Sequence, residues 1–381
     1  MIDRLDRSMN WDWLEELAAW TVEQAVAIQQ IPAPTFAEKE RAAHVAGEFR
    51  KLGLTQVETD DLCNVYGRLP GRRSSAPAVM VSAHTDTVFP EATDLSIRRD
   101  GDLIFGAGLG DNSIGVAGLL ALISALQLTA ATPETDLWFV ATSREEGLGD
   151  CGGMRAAFTR LKPLVGSVIN IEGLAFGHIY HAGIAVRRLK ITAHTPGGHS
   201  WLHFGRPSAI HAIVQLGAQI VAMQPPQTPR TTFNIGLIEG GQSINSIATE
   251  ASLWLDLRSE QSGALATIEQ RVRQWVKSLS GDDVKFSIEV VGDRPSGSVA
   301  TSHPLVIRAQ EVLSQVGVRA TLETGSTDGN IPLSEGCPAV TVGITRGGNA
   351  HRLDEYIEIS PVASGLRQLI LLTLATADAV P

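Results

Sequence analysis

Apolar runs at 63–69, 78–83, 136–142 and 166–171 alternate with helical patterns at 113–128 and 151–161. Strands separated by helices are joined by crossovers, and crossovers build a largely parallel sheet covered by helices. Two further helices precede the first strand, the second running from near Thr35 to Gly53. From about residue 184 the texture changes. "GIAVRRLKITAHT", "RTTFNIGLIEGG", "EASLWLDLRS" and "DVKFSIEVVG" read as strands, with helices at "PSAIHAIVQLGAQIVAM" and "SGALATIEQRVRQWVKSL". That β-α-β-β-α-β order is the split βαβ arrangement. "HPLVIRAQEVLSQVG", "PAVTVG" and "SGLRQLILLTLATA" then resume the first pattern. The expected architecture is α/β: a mainly parallel sheet with helices on both faces, residues 1–183 and 295–381. An inserted α+β domain of ferredoxin-like order, 184–294, interrupts it.

Composition removes several function classes. A formal net charge of -10 disfavours nucleic-acid binding, which needs a basic stripe. The N-terminal "MIDRLDRSMNWDWLEELAAW" lacks the basic and apolar regions of a signal peptide. "GVAGLLALISALQL" is short for a bilayer span. Cys63, Cys151 and Cys337 form neither a CxxC pair nor a disulfide framework. A cytoplasmic protein with no membrane partner is expected.

In open α/β sheets function gathers beyond the carboxyl ends of the strands. There the sequence places His84 and Asp86, then Asp111, then Glu145 and Glu146, then Glu172, and finally His351 in a glycine-rich loop. Each has an ordinary reading, such as a helix cap for Asp111 or a solvated turn for the glutamate pair. Recurring at every strand end, they describe imidazoles and carboxylates converging on one edge. Such negative charge in a partly buried cleft needs cations. A mixed His and carboxylate set suits Zn²⁺, Co²⁺ or Mn²⁺ rather than Mg²⁺ or Ca²⁺. With a bridging carboxylate the count fits two metal ions roughly 3.5–4 Å apart. His84 reads as a ligand and Asp86 as the residue that orients it. Glu145 and Glu146 point in opposite directions along an extended segment, so one can bind metal while the other serves as general base.

"SAHTDTV", "GAGLGDNSIG", "SREEGLG", "NIEG" and "GGNAHRLDE" resemble, in order, the metal-site motifs of the M20 metallopeptidases. That family includes peptidase T, acetylornithine deacetylase, succinyl-diaminopimelate desuccinylase, aminoacylase and glutamate carboxypeptidase. The resemblance implies one metal, Zn²⁺ by family habit, on His84 and Glu172 and another on Glu146 and His351, with Asp111 bridging. It implies Glu145 as general base and Asp86 as the clamp on His84. "TPGGHSW" resembles the motif of a lid or dimerisation domain whose histidine, here His199, reaches a partner subunit's site in dimeric members. "GGQSINSIATEASLWLDLRS" implies substrate contacts from Asn245 and Arg258, and "TGSTDGN" implies a pocket lined by Gly325 and Ser326. The implied activity is hydrolysis of an amide in a short peptide or an N-acyl amino acid by a homodimer.

The chain departs from the family at Asn112-Ser113-Ile114, where many members carry a basic residue, and at Ala248, where "Asn-x-Ile-Pro" is usual. Glu172 is common among the family's deacylases, whereas "GGHSW" resembles its peptidase T-like branch. A dinucleotide fold fails because the third glycine of G-x-G-x-x-G falls on Asp111, whose charge would repel a pyrophosphate. A nucleophile elbow of the G-x-S-x-G kind is absent from the sequence. A non-catalytic binding protein would be signalled by loss of a ligand or of the base, and all those positions are filled.

Overall fold

The computed structural model describes residues 2–129 and 132–378, in two compact units. The first comprises Met1–Gly183 and Gly297–Pro381, the second Ile184–Ser296.

A nine-stranded sheet organises the first unit. Its centre is four parallel strands in the order Leu137–Thr142, Ala78–His84, Val165–Ile171, Ala339–Val342. The first two and the last are buried at every position. Covered on both faces, such strands read as continuous apolar runs rather than as alternation. The flanks are antiparallel: Val65–Leu69 with Thr55–Thr59 on one side, His178–Gly183 on the other. The helix Ile114–Leu128 packs as a core element. The stretch Leu109–Leu128 has the length and apolarity of a membrane span, but its most apolar 18-residue window is 89% buried inside the fold. Each of its enclosed leucines, Leu119, Leu120 and Leu122, contributes about 1.5–3 kcal/mol through burial.

The second early helix begins at Lys39, not near Thr35, and ends at Lys51. Glu38 explains the shift: its carboxylate accepts the backbone N–H of Phe36 at 2.9 Å, closing a turn that leaves Thr35 outside the helix. The N-terminal helical region is likewise divided, into Ile2–Ser8 and Leu14–Gln29. A small antiparallel sheet of Arg98–Asp100, Leu103–Phe105, Tyr356–Glu358 and Gly347–Gly348 ties the chain before Asp111 to the chain around His351.

The second unit has its own core. Its four antiparallel strands stand in the order Thr231–Gly240, Glu250–Ser259, Ala185–His194, Lys285–Arg294. Alternate residues Leu189, Ile191, Leu253, Leu255 and Leu257 are buried with Ile213, Leu216, Ile268 and Val272 of the helices Ala209–Val221 and Ser262–Leu279. A separate two-stranded pair joins Gly198–His199 to Ser246–Ile247.

Candidate active site

The parallel strands deliver their polar residues to one edge of the first unit. Ala78–His84 ends on His84, Leu137–Thr142 runs into Glu145 and Glu146, and Val165–Ile171 stops one residue before Glu172. His84 Nε2 lies 3.0 Å from Asp111 Oδ1 and 3.5 Å from Glu172 Oε2. His351 Nε2 lies 3.0 Å from Asp111 Oδ2 and 3.1 Å from Glu146 Oε1. The Asp111 carboxylate thus gives one oxygen to each imidazole. His84, Asp111 and Glu172 form one group whose ligand atoms lie within 4.8 Å of one another; Asp111, Glu146 and His351 form a second, and His84, Glu145 and Glu146 a third.

The charges in this cluster are poorly matched without a cation. Burial pushes the Glu146 carboxyl up to about 7 and raises Glu172 as well. Burial also opposes ionisation of Asp111, but hydrogen bonds from His351 and His84 hold it below the usual carboxylate range. For His84 burial disfavours the charged ring, yet Glu172, Asp111 and Asp86 together lift it well above the ordinary imidazole value. Hydrogen bonding to Asp111 and Glu146 lifts His351 to about 10. Protons therefore occupy positions where divalent ions would satisfy the same atoms, and two imidazoles with three carboxylates form a donor set of the Zn²⁺, Co²⁺ or Mn²⁺ type. His84 Nδ1 faces the backbone carbonyl of Asp86 at 3.1 Å. A proton donated there leaves Nε2 as the lone pair directed at the cluster.

Asp86 has more partners than His84. Its carboxylate stands 3.5 Å from His84 Nδ1. It accepts the backbone N–H groups of Glu145 (2.9 Å) and Glu146 (3.0 Å) and the Thr35 hydroxyl (2.8 Å). Burial would raise its pKa, but His84 and the backbone N–H groups of Glu146 and Glu145 lower it. Asp86 thereby fixes the histidine strand against the glutamate loop. Arg41, almost fully buried, donates to the carbonyls of Thr85 and Ile31 and braces the same turn. Asn112 spans Glu172: its amide nitrogen donates to the Ile171 carbonyl and its oxygen accepts the Gly173 N–H, each at 2.8 Å. Glu355, wholly buried, accepts the N–H groups of Gly108, Gly110 and Asp111.

Glu145 is itself buried, and the Cys151 thiol lies 3.8 Å from its Oε1. Gly325 ends the strand Thr321–Gly325 beside Gly183, and Ser326 follows. A Cβ at Gly325 would stand 2.7 Å from the Tyr180 ring, so the close approach requires glycine.

The remaining three residues belong to the second unit. His199 is exposed, and its Nδ1 accepts the N–H groups of Trp201 and Leu202 at 3.2 and 3.4 Å. This places the ring proton on Nε2. Asn245 lies beside it, its carbonyl accepting the Ser200 N–H at 3.0 Å. Arg258 is elsewhere. It sits near the far end of Glu250–Ser259, roughly 25 Å along the strand from Glu250 at the usual rise per residue, and donates to Asp256 at 2.7 Å. The fold brings His199 and Asn245 together and separates Arg258 from both.

Sequence reasoning assigned no role at the site to Arg41, Asn112, Cys151, Asp328 or Glu355. Two left a signal. Arg41 interrupts the buried stripe Ala42, Val45, Ala46 and Phe49 of its helix, and a cation on an apolar face needs partners. Glu355 closes the "HRLDE" segment that contains His351.

A model of the peptidase family M20/M25/M40 matches residues 80–374. Over 246 residues the chain is 28% identical to a probable carboxypeptidase of Aspergillus fumigatus, covering 58% of this chain and 54% of that protein. The chain thus spans about half the length of that relative. It shares 25% identity over 353 residues with an acetylornithine deacetylase of Edwardsiella ictaluri, 86% of this chain and 88% of the relative. The fold is similar to that of the aminopeptidase PepT from Bacillus cereus ATCC 10987, with a TM-score of 0.76, 20% identity, and coverage of 94% of this chain and 99% of that one.

Proposed function

Since the chain belongs to peptidase family M20/M25/M40, we propose that it is a two-metal amidohydrolase acting on a short peptide or an N-acyl amino acid. The observation that carries this reading is the Asp111 carboxylate with one oxygen on each of two imidazoles. His84 and Glu172 would hold one ion, Glu146 and His351 the other, with Asp111 between them. When bound, the ions supply Lewis-acid activation of water and of the substrate carbonyl. Glu145 takes a proton from the attacking water and returns it to the leaving amine. Asp86 keeps Glu145 and Glu146 in register through their backbone N–H groups. His199, with Nδ1 engaged, offers Nε2–H to the oxyanion. Arg258 offers a guanidinium to a substrate carboxylate, and Gly325 and Ser326 line the pocket.

A homodimer through the second unit belongs to the same reading. Its edge strand Thr231–Gly240 exposes Leu237 and Ile238, and the helix Ala209–Val221 exposes Val214 and Val221. An unpaired edge beside apolar side chains is a surface that a second copy can cover. The separation of Arg258 from His199 and Asn245 supports two ends of the unit serving two different sites. Mixing inactive His199→Ala and Glu145→Gln proteins should then restore part of the activity. No recovery after demonstrated subunit exchange would refute a trans-acting His199. None of Cys63, Cys151 and Cys337 is in a disulfide, which fits the proposed cytoplasmic location.

Substrate class is decided by a matched pair: a free-amine tripeptide and its N-acetylated form, assayed with Zn²⁺, Co²⁺ or Mn²⁺. Cleavage of the free-amine form alone identifies an aminopeptidase, and release of acetate a deacylase. If a metal-loaded protein cuts neither these nor a panel of N-acyl amino acids, the amidohydrolase reading falls.

A further inference from the structure

Behind the glutamate pair lies a buried cluster with no part in the chemistry assigned so far. Asp328 is completely enclosed. Its Oδ2 accepts the Thr142 hydroxyl at 2.6 Å, and its Oδ1 has no hydrogen-bond partner among the described residues. Thr142 is the last residue of the strand that feeds Glu145. On the far side of the same loop, Cys151 is also fully buried. Its thiol lies 3.8 Å from Glu145 Oε1 and 3.9 Å from the carbonyl of Thr327. The segment bearing Glu145 is therefore tied twice to Thr327–Asp328, once from its beginning and once from its end. The same two residues directly follow Gly325 and Ser326, placed above in the substrate pocket.

Resting on the reading of Glu145 as the base, we propose that Asp328 is a positioning residue. It is an uncharged carboxylic acid that, with Cys151, braces Glu145 from behind and links its orientation to the 325–326 segment. An ionised carboxylate needs cations or several donors when buried, and Asp328 has one hydroxyl. The titratable groups around it are Glu145, Glu172 and His84; burial, then Glu145, push its carboxyl up to about 8. An acid kept neutral places no second negative charge against a base that must accept a proton. An Asn at this position would preserve both size and neutrality.

The test compares Asp328→Asn, Asp328→Ala and Thr142→Val in metal-loaded enzyme, with kcat, KM and bound metal measured for each. Removing the brace misplaces the base, while neither Asp328 nor Thr142 is itself a proposed metal ligand or substrate contact. Asp328→Ala and Thr142→Val should lose kcat by about 10- to 100-fold at unchanged KM and metal content. Asp328→Asn, still an acceptor for Thr142, should remain within about threefold of the wild type, as a neutral isostere does when no charge is needed. Thr142→Val guards against failure of the alanine variant to fold, because it changes one buried hydroxyl at constant shape. Wild-type kcat in Thr142→Val, or an Asn variant as impaired as the Ala variant, would overturn the proposal. These outcomes are read while the wild type turns over and Glu145→Gln does not, so they are distinct from failure of the base assignment itself.

Discussion

Replacing Asp86 by asparagine probes the joint between the histidine strand and the glutamate loop. The carboxylate accepts three donors: Glu145 N–H at 2.9 Å, Glu146 N–H at 3.0 Å and the Thr35 hydroxyl at 2.8 Å. An amide has one acceptor oxygen. Placed at the Oδ2 position, it keeps Glu146 and Thr35, and its NH₂ group then confronts the Glu145 N–H donor to donor. One hydrogen bond to a charged acceptor is lost, about 1.5–3 kcal/mol, and a buried N–H is left unsatisfied, so the net cost is about 2–4 kcal/mol. Because the displaced amide belongs to the proposed base, kcat should fall about 100-fold. Urea unfolding of chelator-treated protein measures the first quantity, and initial rates of metal-loaded protein measure the second. A variant with wild-type stability and kcat within about twofold would refute the view that Asp86 acts through the loop.

Other outcomes follow from the same geometry. Glu355→Ala leaves three buried N–H groups without an acceptor and should destabilise the protein by about 3 kcal/mol or more and weaken metal retention; unchanged metal content after dialysis would count against it. Burial raises the Glu355 carboxyl to about 7. Its stabilising contribution is therefore complete below about pH 4.5 and lost as pH rises through about 7, so Glu355→Gln should gain on the wild type across that window in metal-free unfolding. His351, raised to about 10, stabilises metal-free protein below about pH 6.5 and loses that contribution as pH climbs through 10. Metal loading at pH 7 should accordingly release protons, seen as a calorimetric heat that depends on the buffer's ionisation enthalpy; identical heats in two buffers would exclude it. Val214→Glu, on the exposed helix face of the second unit, should yield monomers in sedimentation, whereas a wild type that is itself monomeric would remove the dimer.

Much of this was legible because burial writes itself into sequence. The central strands are enclosed on both faces, so Ala78–His84 and Leu137–Thr142 appear as unbroken apolar runs. Their polar ends then stand out against that background. In the second unit one face is solvated, and alternation reveals Glu250–Ser259 equally well. What escaped was held by contacts between residues far apart in the chain. Glu355 reaches Asp111 across 244 positions, and Asp328 reaches Thr142 across 186. Neither has a local pattern to betray its partner. The start of the second helix was missed for a local reason: the Glu38 side chain captures the Phe36 N–H and delays it. Arg258 reads as a neighbour of Asn245 in the sequence, yet an extended strand carries the two apart.

The measurement closest to the central claim pairs metal analysis with turnover for the wild type and Glu145→Gln. Two divalent ions per chain are expected in both proteins, with amide hydrolysis in the wild type and a loss of about 100-fold or more in the variant, the usual scale for a general base. Near-normal turnover in Glu145→Gln, or a wild type that hydrolyses amides without bound metal, would contradict it.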